Sequence, residues 1–469
     1  MLTCCFVAYG LTAGGHFGST DEEDLFQNTL LLASLAQPLT GFPDSLVEEP
    51  PSWRSPQEIG LSLVALPWLW TLHPLTESLE IPWRALVVRA GMTLLNIAIT
   101  LLTVWAIYLW TSRWIDTEAG LWTALLYGLA TMAWPYSQTF YREPLTALCL
   151  CLAFGSASQF RLNQKPMLLI LSTAAIGMAI LTKSVAIVAL PWWLLIGYRK
   201  PLGLRPNQWL LMTILSLLIG AVGLVGLDIK WQILQNYLSE MKIDLRFSQH
   251  SFVIGLVGLL LSPGKGLLLV SPPVILGLWG ICVLWRRYPQ DTLALGGLIV
   301  TFIVIYSTRR GWHGGACWGP RYLLPVLPLM MPFVAATLSH QSSERSGRFN
   351  RLRRFSIILT TFVVGFLIQV GAVSIFPPNY YQLKADAGVV GPKDFQGGSL
   401  YMAPLYFSLV HSPVLGHVHL TQNRMRSLEL KSEPQLLLPT MPPGKQIWYG
   451  FAQINTLDYW WVYWRLFVH

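Results

Sequence analysis

Long apolar runs separated by short polar segments dominate the pattern along this chain. A helix needs about 20 predominantly apolar residues to cross the hydrocarbon core of a bilayer. Eleven runs approach or reach that length, and they predict an all-α polytopic membrane protein with about 11 transmembrane helices. The predicted spans are 1–15, 85–110, 119–137, 144–160, 166–182, 185–198, 208–227, 266–285, 291–307, 322–339 and 355–376.

Two segments between the first two spans have a different pattern. The run 58–72 (EIGLSLVALPWLWTL) is short for a span and rich in Trp, which favours a helix lying in the membrane interface. A second helix is predicted from about Ser19 to Ala36, because its apolar residues recur at helical spacing. Ser19-x-x-Glu22 and Thr20-x-x-Glu23 both match the capping box of a helix start. The first span has no basic leader or small-residue cleavage site, so a removable signal peptide is not expected.

Composition agrees with a membrane protein and excludes several soluble classes. Only 12% of the residues are charged, about half the usual share of a soluble domain, and 53% are hydrophobic. The 21 Trp residues are typical of aromatic belts at the membrane interface. The net charge is +9, but no basic soluble domain is present, so nucleic-acid binding is not expected. The six Cys fall mostly inside apolar runs and do not indicate a disulfide framework.

Basic residues between the spans predict the orientation of the chain. Four basic segments follow span ends and are assigned to the cytoplasmic side by the positive-inside rule. They are 161–165, 198–208, 285–287 and 343–354. The outer side then carries 16–84, the loop before Glu143, 228–265, 307–321 and the tail from about 377.

The predicted outer face carries acids and an unusual number of basic residues. Asp21, Glu22, Glu23 and Asp24 form the densest run of negative charge, and Glu143 with Pro144 begins the fourth span. These acids suit the start of a helix, which is their simplest explanation. Six basic residues depart from the positive-inside rule: Arg142, Lys183, Lys265, Arg309, Arg310 and Arg321. Snorkelling or a tight turn would account for single cases, but an anionic lipid head group accounts for the set.

Five motifs in their order resemble the GT-C superfamily of integral-membrane glycosyltransferases, which use polyprenyl-phosphate sugars. The motifs are HFGSTDEEDLF, YREPLTALCLCLA, GMAILTKSVAIVALP, SPGKGLLLVSPPVILGLWG and WHGGACWGPRYLLPVLPLMM. The bacterial members most similar are related to protein O-mannosyltransferases and lipid A aminoarabinose transferases. The resemblance covers roughly 10–340. It implies a GT-C-like transmembrane domain over 1–376, with the catalytic acids in the outer loop 16–84, followed by a C-terminal extracytoplasmic tail over 377–469.

The resemblance also implies roles for individual residues. Asp21 takes the position of the family's essential acid, with Glu22 beside it, and Glu143 matches the acid that opens the fourth span. Lys183 matches the lysine between the fifth and sixth spans. The residues expected to bind the donor phosphate are Arg54, Lys183, Lys265, Arg309, Arg310 and Arg321. The first loop lacks an expected lysine near WRSPQEIG, and Arg54 is its candidate substitute.

These residue types suit a single inverting displacement on the outer face. Cations would stabilise the departing phosphate, and a carboxylate, Asp21 before Glu22 or Glu143, would take the proton of the acceptor hydroxyl. No cofactor is required by the sequence, although clustered carboxylates can hold Mg²⁺ or Mn²⁺. The expected partners are a polyprenyl-phosphate sugar, membrane lipid and a protein, lipid or glycan acceptor, in a bacterial inner membrane. A lipid-linked sugar transporter or flippase and a polysaccharide polymerase or ligase are the alternatives.

Overall fold

The helices of the protein follow the apolar runs of the sequence closely. The structure, a computed structural model, describes residues 1–36, 58–79, 81–197, 252–309, 311–339, 348–389, 403–427 and 457–462. Its α-helices are α1 (Leu2–Thr12), α2 (Thr20–Ala36), α3 (Gly60–Thr76), α4 (Ile81–Trp114), α5 (Thr117–Ala130), α6 (Ala133–Ser137), α7 (Glu143–Asn163), α8 (Pro166–Thr182), α9 (Leu190–Gly197), α10 (Phe252–Leu261), α11 (Leu267–Val270), α12 (Pro273–Arg287), α13 (Pro289–Ser307), α14 (Leu327–Leu338), α15 (Arg348–Ser374), α16 (Pro377–Asp386), α17 (Ala403–Phe407) and α18 (Pro413–Ser427). Two 3-10 segments, Ser184–Ala189 and Arg321–Val326, lead into α9 and α14.

The protein is an integral, multi-pass membrane protein. Five stretches of helix in the described part of the chain are long and apolar enough to cross a bilayer. They are Trp83–Trp114, Glu143–Asn163, Pro289–Ser307, Arg321–Leu338 and Phe355–Ser374. The predicted span 208–227 lies outside the described residues. The all-helical polytopic class is therefore confirmed, while the number of eleven spans stays a prediction.

Two predicted spans, 119–137 and 266–285, are each interrupted. The first consists of α5 and α6 with a break at Thr131 and Met132, and the second consists of α11 and α12 with a break at Ser271 and Pro272. The two breaks meet, because the backbone N–H of Met132 donates to Ser271 Oγ at 3.1 Å. Side chains from elsewhere in the bundle thus satisfy backbone groups that a continuous helix would pair internally.

Local sequence explains where the central helices begin and end. Asp116 caps α5 by accepting from the N–H of Ala119 at 2.7 Å, and Pro144, Pro166 and Pro289 occupy first-turn positions where a missing N–H costs nothing. Helix α7 packs against α8 and α4 and is buried along most of its length. Its position at the centre of the bundle fixes the place of Glu143 at its first turn.

The described part of the loop between α1 and α4 forms two helices, as the sequence predicts. Helix α2 ends at Ala36 and buries Leu25, Phe26 and Leu30. Helix α3 packs against α2 and α4, and the hydroxyl of Ser62 donates to the carbonyl of Leu25 at 3.2 Å. Helix α3 thereby joins α2 to α4.

The described parts of the C-terminal region pack on this bundle. Helix α18 lies against α15, and Tyr406 of α17 is fully buried. The backbone N–H of Gly264 donates to the carbonyl of Tyr406 at 3.0 Å, and Ser412 Oγ donates to the carbonyl of Pro263 at 2.7 Å. This region therefore covers the segment that links α10 to α11.

Candidate active site

Charged residues predicted from four separate parts of the sequence come together at one end of the bundle. Asp21 lies in the first turn of α2, Glu143 in the first turn of α7, and Lys183 between α8 and the following 3-10 segment. Arg309 follows the end of α13, and Arg321 begins the 3-10 segment that leads into α14. Two ion pairs and contacts of the cations with one tyrosine ring connect these five side chains, and we call the group the charged cluster.

Asp21 and Arg321 form the exposed part of the charged cluster. Arg321 Nη1 lies 2.8 Å from Asp21 Oδ2, and the Asp21 side chain is 31% exposed. The segment 311–320, which we call the glycine-rich loop, passes close to the Arg321 side chain at Gly314. Gly314 has a φ of +73°, and a Cβ there would lie 3.0 Å from Arg321 Cγ. Asp21 is the acid of the run 21–24 that faces this cation directly.

Glu143 and Lys183 form the buried part of the same cluster. Lys183 Nζ lies 2.8 Å from Glu143 Oε1, and the two side chains are 6% and 3% exposed. Within the described part of the chain, Glu143 Oε2 has no hydrogen-bond partner. The carboxylate thus holds the lysine with one oxygen and keeps accepting capacity on the other.

Tyr322 connects the cations of the two ion pairs. Its ring lies 5.1 Å from Lys183 Nζ, 5.2 Å from Arg321 Cζ and 5.9 Å from Arg309 Cζ, measured to the ring centroid. Tyr306 stacks on Tyr322 with centroids 4.5 Å apart. Aromatic faces attract cations, so this pair of rings holds three positive side chains close together despite their mutual repulsion.

Glu58 fixes the chain segments on both sides of the buried ion pair. Its carboxylate pairs with Arg142, the residue before Glu143. It also accepts from the N–H and the hydroxyl of Ser184, the residue after Lys183, at 3.1 and 3.0 Å. One carboxylate at the start of α3 therefore holds α7 and the end of α8 in register.

Arg309 gives the charged cluster an excess of positive charge. Among the described residues it makes no ion pair with a carboxylate, whereas Arg321, Lys183 and Arg142 each have one. Arg309 instead lies over the rings of Tyr306 and Tyr322. A cation held at a cluster without its own counter-ion suits the binding of an anionic group.

The buried ion pair should matter for stability in a way that a double variant can separate. We expect Lys183→Met to destabilise the protein by about 3–5 kcal/mol, because it leaves Glu143 buried without its partner. Glu143→Gln combined with Lys183→Met should recover a large part of that loss, since neither of these two positions then carries a buried charge. Thermal unfolding in detergent measures both. Additive losses in the double variant would contradict the pairing.

Glu22 turns away from Arg321 and organises the backbone around it. Its Oε2 accepts from the N–H of Gly18 at 2.6 Å and from Ser19 Oγ at 3.2 Å, and its Oε1 accepts from the N–H of Phe140 at 2.7 Å. The N–H of Glu22 in turn donates to Ser19 Oγ at 3.4 Å, which is half of the predicted capping box. Glu22 thus joins the start of α2 to the loop before Glu143.

The same loop is held from the opposite side by Asn96 of α4. The Asn96 side-chain amide donates to the carbonyls of Thr139 and Tyr141 at 2.6 and 2.8 Å. Glu23 of the run 21–24 pairs outside the charged cluster. Glu23 makes a two-point ion pair with Arg89, at 2.9 and 2.5 Å, and this pair anchors α2 on α4.

Burial raises the pKa of Glu22 from 4.5 to about 7, and the hydrogen bonds from Phe140 and Gly18 only partly offset that effect. When the pKa of a carboxyl is higher in the folded than in the unfolded state, the protein loses stability as the pH rises from the unfolded-state pKa to the folded-state pKa. We therefore expect the free energy of unfolding of the wild type, relative to Glu22→Gln, to fall by on the order of 3 kcal/mol between pH 4.5 and 7. Melting temperatures of both proteins across this range measure the difference, and a constant difference would contradict it.

A pocket of about 640 Å³, including its open mouth, lies beside the charged cluster. Its polar lining comprises His16, Glu22, Gln138, Thr139 and Asp458, and its aromatic lining comprises Tyr136, Tyr141, Trp318 and Phe376. Arg321 Cζ lies 5.2 Å from the centroid of the Tyr141 ring, so a residue that lines the pocket also contacts this cation. A substrate in the pocket would therefore lie next to the charged cluster.

Lys265, a predicted phosphate ligand, lies in a different environment. It is fully buried, and its ammonium group donates to the carbonyl of Gly315 at 2.9 Å, to the carbonyl of Cys317 and to Cys317 Sγ at 3.5 Å. Burial lowers the pKa of Lys265. In this structure the lysine stabilises the glycine-rich loop that carries Arg321. Arg54 and Arg310 lie outside the described residues, and their roles stay predictions.

Several residues of the site were not found by sequence reasoning. Glu58 is the first residue of the predicted interfacial helix 58–72, and no spacing pattern relates it to Arg142 or Ser184. Tyr322 follows Arg321 directly, which is a signal that could have drawn attention to it. The pair of His16 and Asp458 joins residues 442 positions apart, so no local pattern could indicate it. In the described residues, no three His, Cys, Asp or Glu side chains are arranged to hold a metal ion.

Comparison with known proteins identifies the fold. No family model and no curated protein matches the sequence. Among solved structures, the chain is similar to ArnT from Cupriavidus metallidurans bound to undecaprenyl phosphate, with a TM-score of 0.50 and 13% identity over 97% of this chain and 84% of that one. The apo state of the same protein gives a TM-score of 0.47 at 13% identity, over 96% and 82% of the two chains. The Archaeoglobus fulgidus oligosaccharyltransferase complex with zinc and sulfate gives 0.46 at 12% identity, over 78% and 52%. The likeness to the first structure confirms the GT-C-like helical fold.

Proposed function

We propose that this chain is a glycosyltransferase that moves a sugar from a polyprenyl-phosphate donor to an acceptor hydroxyl, with inversion at the anomeric carbon. The site faces the extracytoplasmic side of a bacterial inner membrane. The observation that carries the proposal is the contact between Asp21 and Arg321, which brings a proton acceptor and a phosphate-binding group together beside an open pocket. The similarity to a fold that holds undecaprenyl phosphate in ArnT supports the donor class.

The cations of the cluster are suited to the donor phosphate. A sugar bonded to a lipid phosphate already carries a good leaving group, which needs charge stabilisation and no proton. Arg321 supplies a planar guanidinium for two-point contact, and Lys183 supplies a point charge. Arg309 contributes the charge that no described carboxylate neutralises. An incoming phosphate can therefore bind Arg309 directly. It can also bind Arg321 by replacing Asp21 as the partner of that side chain.

Asp21 is suited to the acceptor. It is a partly exposed acid of the run 21–24, and its only described ion pair is the one that a phosphate would take over. Once Arg321 turns to the phosphate, Asp21 can accept a hydrogen bond from the acceptor hydroxyl, within about 3 Å. The hydroxyl oxygen forms its bond to C1 while the bond between C1 and the phosphate oxygen breaks. The hydroxyl proton passes to Asp21, and the lipid phosphate leaves with its negative charge held by Arg321, Lys183 and Arg309.

Glu143, Glu22 and Glu58 support this arrangement without reacting. Glu143 positions Lys183, Glu22 holds the loop 138–141 against the start of α2, and Glu58 holds the segments on both sides of the Glu143–Lys183 pair. Their separate tasks explain why a site for one displacement contains so many carboxylates. A metal ion is not needed for any of these steps.

The test is transfer of radiolabelled sugar from a panel of polyprenyl-phosphate donors by the purified, detergent-solubilised protein. We expect a labelled glycoside product with inverted anomeric configuration, and no product after heat denaturation. The competing outcome is an absence of transfer with every donor, together with protein-dependent movement of lipid-linked sugar across a vesicle bilayer. That outcome would assign the protein to the transporter class instead.

A further inference from the structure

The Trp- and Tyr-rich sequence DYWWVYW (458–464) contributes no residue to the proposed reaction. Its described portion, residues 457–462, crosses from the end of α15 to the end of α1. We call these six residues the C-terminal strap. The strap reaches the pocket from the far end of the sequence, so its contacts show what it contributes there.

Backbone and indole hydrogen bonds fasten the C-terminal strap to α1. The N–H of Trp460 donates to the carbonyl of Ala13 at 2.8 Å. The indole N–H groups of Trp460 and Trp461 donate to the carbonyls of Gly10 and Leu11, both at 2.8 Å. These carbonyls belong to the last turn of α1 and the residue after it, where a helix leaves backbone acceptors without intrahelical partners. The strap therefore acts as the cap of α1.

A second set of contacts fastens the strap to α15. The N–H of Asp458 donates to the carbonyl of Ser374 at 2.9 Å, and the hydroxyls of Tyr459 and Ser374 are hydrogen-bonded to each other. Tyr459 is buried, while Trp460 is exposed. The strap thus joins α1 to α15.

The strap places Asp458 in the pocket wall, where it meets His16. Asp458 Oδ1 lies 2.6 Å from His16 Nε2, and the side chains of His16 and Asp458 are 8% and 13% exposed. The edge of the His16 ring contacts Phe376, with centroids 4.8 Å apart. A Cβ on Gly14 would lie 2.9 Å from Asp458 Oδ1, so the fit of the strap against this loop leaves no room for a side chain there. His16 and Asp458 both line the pocket, together with Glu22.

The charge state of the pair is set by its surroundings. Burial alone would lower the pKa of His16, but attraction to Asp458, the hydrogen bonds to Asp458 and the Phe17 carbonyl, and the field of Glu22 raise it to about 9. The imidazole is therefore protonated at neutral pH, and the wall carries a carboxylate beside an imidazolium. A charged pair at the edge of a pocket is a strong hydrogen-bonding site for neutral polar groups, because bonds to ionised partners exceed those between neutral ones.

We propose that the C-terminal strap completes the pocket, and that the His16–Asp458 pair binds the hydroxyl groups of a sugar ring there. This inference rests on the proposed function, because it names what the same site holds. The Asp458 carboxylate accepts hydrogen bonds from neighbouring hydroxyls. Gln138, whose amide N–H groups donate to Tyr9 and Thr12, adds a carbonyl oxygen that can accept another. Trp318 and Phe376 offer apolar faces for the C–H side of the ring.

A sugar ring can come from the donor or from a glycan acceptor, and kinetics distinguish the two. In Asp458→Asn, which keeps the shape of the side chain but not its charge, we expect the KM of one substrate to rise about ten- to a hundredfold. The kcat should stay within about threefold, because the pair binds the sugar without taking part in bond making. A rise in donor KM assigns the sugar to the donor, and a rise in acceptor KM assigns it to the acceptor. Unchanged KM values for both substrates would overturn the proposal.

Trp461→Phe is the matched control for a purely structural effect. It removes the hydrogen bond from the strap to Leu11 and leaves the pocket lining intact. If Trp461→Phe raises the KM as much as Asp458→Asn, the pair only holds the strap in place and the sugar site is overturned. The site is supported if the KM rises in Asp458→Asn but not in Trp461→Phe, and if His16→Gln shows the same rise for the same substrate.

A binding experiment separates this inference from the proposed reaction. Methyl glycosides at millimolar concentration should raise the melting temperature of the wild type, since a ligand that binds only the folded state stabilises it. The same compounds should have a much smaller effect on Asp458→Asn. This result would stand even if no donor gave transfer. Equal stabilisation of wild type and Asp458→Asn would reject the sugar site, whatever the transfer assay shows.

Discussion

Replacing Asp21 with asparagine is expected to slow sugar transfer by about a hundred- to ten-thousandfold, the usual contribution of a positioned general base. Asparagine keeps the size and shape of the side chain but cannot take the proton of the acceptor hydroxyl. Arg321 loses its ion-pair partner at 2.8 Å and becomes more available to the donor phosphate. Donor affinity should therefore be kept or increased while kcat falls. Single-turnover transfer and equilibrium binding of labelled donor measure the two quantities separately.

Glu77→Gln is the control for this variant. It makes the same change of a carboxylate to an amide at an acid after α3 that is 57% exposed and pairs with His73. Its activity should stay within about twofold of the wild type, as for a surface substitution outside the site. Full activity in Asp21→Asn would move the base to Glu22 or Glu143 while leaving the class of enzyme unchanged.

Removing the guanidinium of Arg321 should produce the second large loss. We expect Arg321→Met to lower kcat by about a hundred- to a thousandfold, comparable with the loss of one preorganised group that stabilises developing charge. The affinity for free polyprenyl phosphate, the product, should fall as well, because the same contact binds it. Asp21 is 31% exposed, so loss of its partner leaves a hydrated carboxylate, and the melting temperature should change little.

Two further variants interpret the Arg321→Met result. Arg321→Lys keeps the charge but not the two-point geometry, and we expect it to recover part of the lost rate. Arg286→Met removes an exposed arginine at the end of α12 and should leave transfer unchanged. If Arg321→Met kept the wild-type kcat and product affinity, phosphate stabilisation would have to come from Lys183 and Arg309 alone.

The fold class could be predicted because transmembrane length and apolarity are local properties of the sequence. Within the described residues, helix α2 extends to Ala36 and a helix forms after Glu58, as expected from apolar spacing and the capping signal. The breaks in the runs 119–137 and 266–285 were not predicted. Their backbone groups are satisfied by distant partners such as Ser271, and Gln369 donates to the carbonyl of Val270 at 2.6 Å. Such compensation is tertiary and leaves no local pattern.

The site shows the same division between local and distant information. Charge placement along the sequence selected Asp21, Glu143, Lys183, Arg309 and Arg321, and the structure brings all five together. The sequence could not separate Asp21 from Glu22. Their difference depends on the rotation of α2, which turns Glu22 toward the N–H of Phe140. It also could not show that Lys265 would be buried against the glycine-rich loop, since that depends on the packing of distant segments.

The bond between Met132 and Ser271 has a consequence for the order in which the protein is assembled during synthesis. Its donor and acceptor are 139 positions apart, and both residues are buried. A growing chain that has not reached Ser271 contains the interrupted helix pair α5 and α6 with an unpaired N–H, at a cost of about 1–3 kcal/mol if that group is buried dry. The N–H of Met132 therefore gains this partner only after α11 has left the ribosome. The contact between the two interrupted helix pairs is consequently formed late in synthesis.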